Sequence, residues 1–498
     1  MTYTLLALLT CGYLMGSCTA PIDTTPAPAT APTLAFPEAA VRTSLDTYRQ
    51  GSITSRRFKQ SDLQPLVDAL PPSFTVDTAG RSVEQRPLWR IGYGEGPIEV
   101  LLWSQMHGDE PTATAALMDL FGWLEGQEPA LDSLRLLLRQ RLHLTVLPML
   151  NPDGAQRYER RNALGIDLNR DALHLTTPEA RLLKAERDRL DADWGFNLHD
   201  QGVYYGAGFP AERGCALSIL APAYDWDKSM SPKREDAAQL IALMNGYWQD
   251  SLPGQVGRYN DDFEPRAFGD NLQKWGTRTI LVESGGLPGD PEKQRIRRQN
   301  LLGLITGLHG IATGAYESHS VDEYLQIPEN QSNGMHEVIL DNMVIEREDS
   351  SYSLSLGLRV REQTLGPDYR EYTRSAYISD LGDLHTFNAF DRYDASGLRA
   401  EAGRVYPGTL TARQVDVLST VDLLRQGYTA VRTAAPLPWH AGRQLRVLGP
   451  NERLAKEVGL GLPLDLLLYD SEDSLRAAIV NGRIIRISPE GGAAGAEK

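Results

Sequence analysis

His107 and Glu110 stand three residues apart in His107-Gly108-Asp109-Glu110, directly after the apolar run Ile98-Glu99-Val100-Leu101-Leu102-Trp103. The run reads as a buried strand, and Pro111 with Thr112 to Leu124 reads as the helix that follows it. A His and a Glu on such a turn can share one zinc ion, because imidazole nitrogen and carboxylate oxygen both bind Zn²⁺ at about 2.0–2.2 Å. Alone, the spacing is weak. It gains weight from a third ligand, a base and an anion clamp further along the chain.

The third ligand is best assigned to His199, in Phe196-Asn197-Leu198-His199-Asp200 at a strand end. Two His and one carboxylate leave a position open for water, the catalytic rather than the structural arrangement. His143, His174, His309, His319, His336, His385 and His440 read as solvated or core imidazoles. Glu283 leaves the apolar stretch Thr279-Ile280-Leu281-Val282 into Ser284-Gly285-Gly286. A carboxylate there is partly desolvated, which raises its pKa and suits a general base that later acts as an acid. Between these pieces lies Arg160-Arg161-Asn162-Ala163-Leu164-Gly165-Ile166-Asp167-Leu168-Asn169-Arg170. Arg170 with Asn169 can hold a carboxylate through charge-assisted hydrogen bonds. Arg160 can stabilise an oxyanion, and Asp167 can accept the N–H of a ligand His. Arg157 and Arg161 read as surface charges.

Strands alternate with helices from Phe74 to Gly310, which implies a sheet with helices on both faces. In such sheets ligands bind beyond the carboxyl ends of strands. His107, His199 and Glu283 each follow a predicted strand, so one shared site is expected. Helices are predicted over Val41 to Asp68, Leu131 to Arg141, Leu173 to Arg189, Asp236 to Trp248 and Glu292 to Gly310. After about Val321 the pattern turns to alternating, turn-rich β-structure, ending in a hairpin at Asn481-Gly482, a pair suited to a type I′ turn.

Taken together, His107-x-x-Glu110, Asn151-Pro152-Asp153-Gly154, the Arg160 to Arg170 stretch, His199 and Glu283 resemble the M14 zinc carboxypeptidase family over roughly Ser73 to Gly310. The resemblance implies an α/β fold, a mixed eight-stranded sheet with helices on both faces, here followed by a mainly β C-terminal domain. It implies one zinc ion per catalytic domain, held by His107, Glu110 and His199. The implied reaction is hydrolysis of a C-terminal peptide bond, with Glu283 as base and acid, Arg160 on the oxyanion, and Asn169 and Arg170 on the substrate carboxylate. Tyr259 is the nearest candidate for the substrate-covering Tyr usual in the family. Side-chain specificity is expected from Arg266, Phe268 and Asp270. Asp109 departs from digestive carboxypeptidases, which carry Arg there; the HGDE form is more similar to bacterial members, including cell-wall peptide amidases. A zinc amidase or deacylase acting on murein peptides is therefore the alternative, and a catalytically silent binding protein a second.

The 498 residues exceed one core, so more than one domain is expected. The net charge of −15 argues against nucleic acid as a partner. Leu5 to Gly16 is apolar and too short to span a bilayer, and Leu14-Met15-Gly16-Ser17-Cys18 resembles a bacterial lipoprotein signal, although Met1-Thr2-Tyr3-Thr4 lacks the usual positive charge. The expected layout is a signal at 1–18, a Pro/Thr/Ala-rich tether at 19–40, a catalytic domain at 41–319, a mainly β accessory domain at 320–489 and a disordered tail at 490–498. The expected location is the cell envelope, lipid-anchored at Cys18 and facing periplasm or exterior, with a peptide or peptide-like amide as substrate. Cys215 is then the lone thiol of the mature fold, free and buried. The preferred C-terminal residue, the oligomeric state and the role of the β domain stay open.

Overall fold

The computed structural model describes residues 34–347 and 349–488. The signal, most of the tether and the tail lie outside them, and with them Cys18. Strands follow in chain order as Phe74–Arg81 (β1), Pro87–Tyr93 (β2), Ile98–Ser104 (β3), Leu142–Leu147 (β4), Trp194–Asp200 (β5), Gly206–Ala207 (β6), Arg213–Gly214 (β7), Leu217–Leu220 (β8), Val256–Arg258 (β9) and Arg278–Ser284 (β10). All but β6 and β7 form one eight-stranded sheet, ordered β1-β2-β4-β3-β5-β10-β8-β9. The central strands β4, β3, β5 and β10 are parallel, while β2 and β8 join them antiparallel. The sheet is therefore mixed, as the resemblance implied.

The helices are Glu38–Ser44 (α1), Gln60–Asp68 (α2), Thr112–Leu124 (α3), Pro129–Arg141 (α4), Pro152–Arg157 (α5), Pro178–Leu190 (α6), Pro232–Gln249 (α7), Phe268–Lys274 (α8) and Gln294–Thr313 (α9). Central strands are apolar on both faces because both are covered. On β3, Val100 and Leu102 join the core under α3, α4, α7 and α9, whereas Leu101 and Trp103 join Leu183 of α6 and Leu272 of α8 on the other side. α3 is buried almost all round, which explains its nearly uniform apolar sequence.

Several boundaries differ from the sequence reading for local reasons. The helix expected from Leu173 starts at Pro178, because the Thr177 hydroxyl accepts the Ala180 N–H at 3.2 Å and Asp171 takes up the N–H groups of Thr176 and Thr177. The helical pattern of Val41 to Asp68 splits into α1 and α2. The assignment of residues 34–40 to the tether is corrected: Leu34 and Phe36 pack on the main core and Glu38 opens α1. The start of the accessory domain at 320 is corrected too. Val321–Leu325 is a short helix packed on α7, and Tyr324 and Ile327 belong to the first core.

Beyond it the chain is mainly β. Met335–Arg347, Ser350–Leu365, Glu371–Gly382 and Asn388–Asp394 form a four-stranded sheet. A second four-stranded sheet contains the expected hairpin, in which Val480 pairs with Arg483 and Asn481 and Gly482 take φ of 48° and 77°. A three-stranded sheet and two short helices, Ala412–Asp416 and Thr420–Arg425, complete the region. Among the described residues no helix is long and apolar enough to cross a membrane.

Candidate active site

Three parallel strands, β3, β5 and β10, lie side by side and deliver the proposed residues at their carboxyl ends. Glu283 sits directly opposite His199 in the β10–β5 pairing, and Ser104 opposite Leu198 in the β3–β5 pairing. Three residues past Ser104 the chain reaches His107. The loop from His107 to Glu110 is pressed onto α5: a Cβ on Gly108 would lie 2.0 Å from the Gly154 backbone, so only glycine fits. Asn151 caps α5 by accepting the Gly154 N–H at 2.9 Å, and its amide donates to the carbonyls of Met106 and Arg160. Asp153, fully buried, accepts from Ser82 and the backbone of Glu84 and pairs with Arg86. The Asn151-Pro152-Asp153-Gly154 motif thus carries no chemistry itself. It holds the ligand loop and Arg160 in place.

At the centre, the Glu110 carboxylate lies between two imidazoles. Oε1 is 2.7 Å from His107 Nδ1 and Oε2 is 2.6 Å from His199 Nδ1. Donor atoms of all three residues lie within 4.8 Å of one another, and all three side chains are buried. Asp167 Oδ1 lies 3.0 Å from His107 Nε2, within reach to orient that ring. His199 Nε2 is buried without a partner among the described residues. The donor set fits zinc: two imidazole nitrogens and a carboxylate, enclosed, with room beside them.

The close packing sets the charges of this group. Burial alone would raise the Glu110 carboxyl, but the charges of His107 and His199 hold it well below the usual carboxylate range. Burial lowers His107, yet the Glu110 charge and the hydrogen bonds to Asp167 and Glu110 push it up to about 9. Glu283 goes the other way. Burial, then the charge of Glu110, raises it well above the usual value for a glutamate.

The cavity beside these residues has a volume of about 360 Å³. His107, Glu110, Arg160, Asn169, Arg170, His199, Tyr259 and Glu283 all line it, so each proposed ligand, catalytic and substrate-binding residue reaches one space. Arg160 is oriented by Asp167, 3.0 Å from its Nε, and points Nη1 at Glu110 Oε1, 3.2 Å away. Asn169 uses its carboxamide oxygen on the Phe268 N–H at 2.8 Å, which leaves its NH₂ as the group it can offer. Arg170 forms an ion pair with Glu264 at 3.3 Å. Tyr259 stacks on Tyr205, with ring centroids 6.4 Å apart. Of the three residues expected to set specificity, Asp270 lines the cavity, and burial pushes its carboxyl up to about 7. Phe268 is core, and Arg266 is exposed and tied to Glu264.

Some of the architecture gave no sequence signal. Lys293, nearly inaccessible, donates to Asp200 at 3.1 Å and to the Ser284 carbonyl at 2.8 Å, joining the ends of β5 and β10. Thr112 donates to the same Asp200 carboxylate at 2.5 Å. Gln201 and Tyr205 form another wall of the cavity. These residues are brought together only by the sheet. Cys215 is free and buried, as expected, with its thiol pushed up to about 11 by burial.

Residues 60–188 match the family model described as zinc carboxypeptidase, Peptidase_M14. The matched stretch holds His107, Glu110, Arg160, Asn169 and Arg170, and His199 and Glu283 lie beyond it. Carboxypeptidase SOL1 of Arabidopsis thaliana is 36% identical over 98 residues, 18% of this chain and 20% of that protein. An uncharacterized protein of Zymomonas mobilis is 27% identical over 185 residues, 32% of this chain and 48% of that protein. The chain thus spans about a fifth and about half of the length of these curated relatives. Among solved structures, a metallo-carboxypeptidase from Burkholderia cenocepacia is similar with TM-score 0.42 and 18% identity, over 52% of this chain and 69% of that one. A metallo-carboxypeptidase from Pseudomonas aeruginosa in complex with (2-guanidinoethylmercapto)succinic acid gives TM-score 0.39 and 18% identity, over 54% and 70%.

Proposed function

We propose that this protein is a zinc-dependent metallocarboxypeptidase that removes a C-terminal residue from a peptide or peptide-like substrate. The observation that carries the reading is the facing pair His199 and Glu283 on adjacent strands, with Glu110 bridging His199 to His107 beside the same cavity. Zinc held by His107, Glu110 and His199 would supply Lewis acidity to the scissile carbonyl and the attacking water. Glu283 takes a proton from that water and returns it to the amide nitrogen as the C–N bond breaks. Its raised pKa suits both halves of that task. Arg160 donates to the developing oxyanion. Arg170 and the Asn169 NH₂ hold the terminal carboxylate, and Tyr259 covers the bound residue. Attachment to the cell envelope through a lipid on Cys18 belongs to the same reading and rests on the sequence of residues 5–18.

The test is hydrolysis of a mixed library of C-terminal peptides and murein stem peptides by the zinc-loaded wild type and by Glu283→Gln. Release of C-terminal residues by wild type alone is expected. Release confined to murein peptides would select the amidase reading. No release from any substrate, with zinc bound stoichiometrically, would overturn the catalytic one.

A further inference from the structure

A second cavity lies in the C-terminal β region, away from the proposed zinc ligands. Glu337, Arg374, Trp439, Arg443 and Arg483 line it, with Pro438 and Leu445 among its apolar walls. Its volume is about 50 Å³.

The charges around it do not balance. Glu337 is the one acid of the lining, and it is already engaged: its Oε2 accepts the Tyr204 hydroxyl at 2.9 Å. Arg443 is satisfied by Asp416 at 2.7 Å. Arg374 is not comparably satisfied. Its nearest carboxylates, Glu362 and Glu337, are 3.7 and 3.9 Å away, and its Nε is buried with no hydrogen-bond partner. Arg483 gives Nη1 to the carbonyls of Ala441 and Arg443 and has no carboxylate within ion-pair distance among the described residues. Two guanidiniums therefore share one cavity with the single carboxylate of its lining, Arg374 at the long end of ion-pair distance and Arg483 on carbonyls. Half-buried guanidiniums held by long ion pairs or by carbonyls keep N–H capacity for a further anion. An oxyanion between Arg374 and Arg483 would use it. Trp439, whose ring lies 5.6 Å from the Arg374 guanidinium, and Pro438 supply an apolar surface at the mouth. Planar, forked donors match a carboxylate bidentately, and the apolar wall beside them suits an organic acid over inorganic phosphate.

We infer that the cavity between Arg374, Arg483 and Trp439 binds the carboxylate of a small organic acid with an apolar body, such as a free or N-acylated hydrophobic amino acid. This site is separate from the proposed zinc centre and stands whether or not that centre is a peptidase.

The full chain labelled with 5-fluorotryptophan tests it, with the Trp439 ¹⁹F resonance assigned by Trp439→Phe. Titration with N-acetyl-leucine is expected to move that resonance to saturation. The neutral N-acetyl-leucinamide should leave it in place. Arg483→Met should weaken the response on the order of tenfold, the loss of one charge-assisted hydrogen bond, with the unfolding midpoint checked alongside. A resonance unmoved by the acid, moved equally by acid and amide, or moved as strongly by inorganic phosphate would overturn the assignment. The wild-type comparison of acid against amide decides the matter even where Arg483→Met fails to fold.

Discussion

Glu110 Oε2 lies 2.6 Å from His199 Nδ1, across 89 residues of sequence. The contact exists because β3 and β5 are parallel neighbours that end at the same level, so the loop after one meets the last residues of the other. A carboxylate shared between two imidazoles is costly to assemble without an ion, and the first prediction follows from it.

Zinc uptake must displace the proton that the metal-free site keeps on His107, held up to about 9 by Glu110 and Asp167 against the effect of burial. Affinity is therefore expected to rise about tenfold per pH unit below pH 9 and to level off above it. Competition titration with a chelator between pH 6 and pH 9 measures this. A flat profile would contradict a proton held on His107. Glu110→Ala should lose stoichiometric zinc.

Glu283→Gln is expected to lower kcat by roughly 10²–10⁴, the range of general acid–base catalysis, with zinc content unchanged. Single-turnover rates together with metal analysis separate the two effects. A variant retaining wild-type kcat would remove Glu283 from the chemistry.

Arg170→Met should raise KM for substrates with a free C-terminal carboxylate and leave kcat nearly unchanged, the signature of lost uniform binding. Loss of a charge-assisted hydrogen bond, about 1.5–3 kcal/mol, corresponds to roughly ten- to 150-fold. C-terminally amidated peptides should show no such penalty, and an equal loss on both would mean that Arg170 acts elsewhere.

Asp270 has a folded pKa pushed up to about 7, chiefly by burial. A carboxyl raised on folding contributes stability that is present at low pH and lost as pH rises through its folded value. Between about pH 4 and pH 7 the wild type should therefore lose stability that Asp270→Asn does not lose. Urea midpoints across that range test it, and parallel curves for the two proteins would count against it.

Arg297 and Asp119 form a buried pair at 2.5 Å, with side chains 1% and 3% exposed, and Arg297 also binds the carbonyls of Gln50 and Ile53. Arg297→Met strands the Asp119 charge and should cost about 3–5 kcal/mol by chemical denaturation. A loss under about 1 kcal/mol would mean that Asp119 finds water or a proton.

The parts of the site legible in the sequence were those with local signatures. His107 and Glu110 follow an apolar strand, His199 ends one, Glu283 leaves one for glycines, and Arg160 to Arg170 forms a compact loop in which Asn162 Oδ1 accepts from Leu164 and Ile166. Each is visible because the chain changes character at that point. β8 was missed although Leu217-Ser218-Ile219-Leu220 is apolar, because four residues are too short to separate strand from loop by periodicity. Lys293 and Tyr205 were invisible for a different reason: their partners come from other strands, and no spacing encodes that. The start of the second region was placed too early because the helix Val321–Leu325 is too short to show its buried face, which Tyr324 alone supplies.

Tyr204 follows the proposed ligand His199 by five residues, and its hydroxyl both donates to Glu337 and accepts the Val360 N–H at 2.7 Å, while its carbonyl accepts from Met335. A chain cut after Ile327 would keep every proposed ligand and the base, yet leave this phenol with neither partner and the neighbouring Tyr205 wall without its backing. The appended β-sheet therefore works as a splint on the wall of the candidate site. Replacing either part therefore requires refitting the joint at Tyr204.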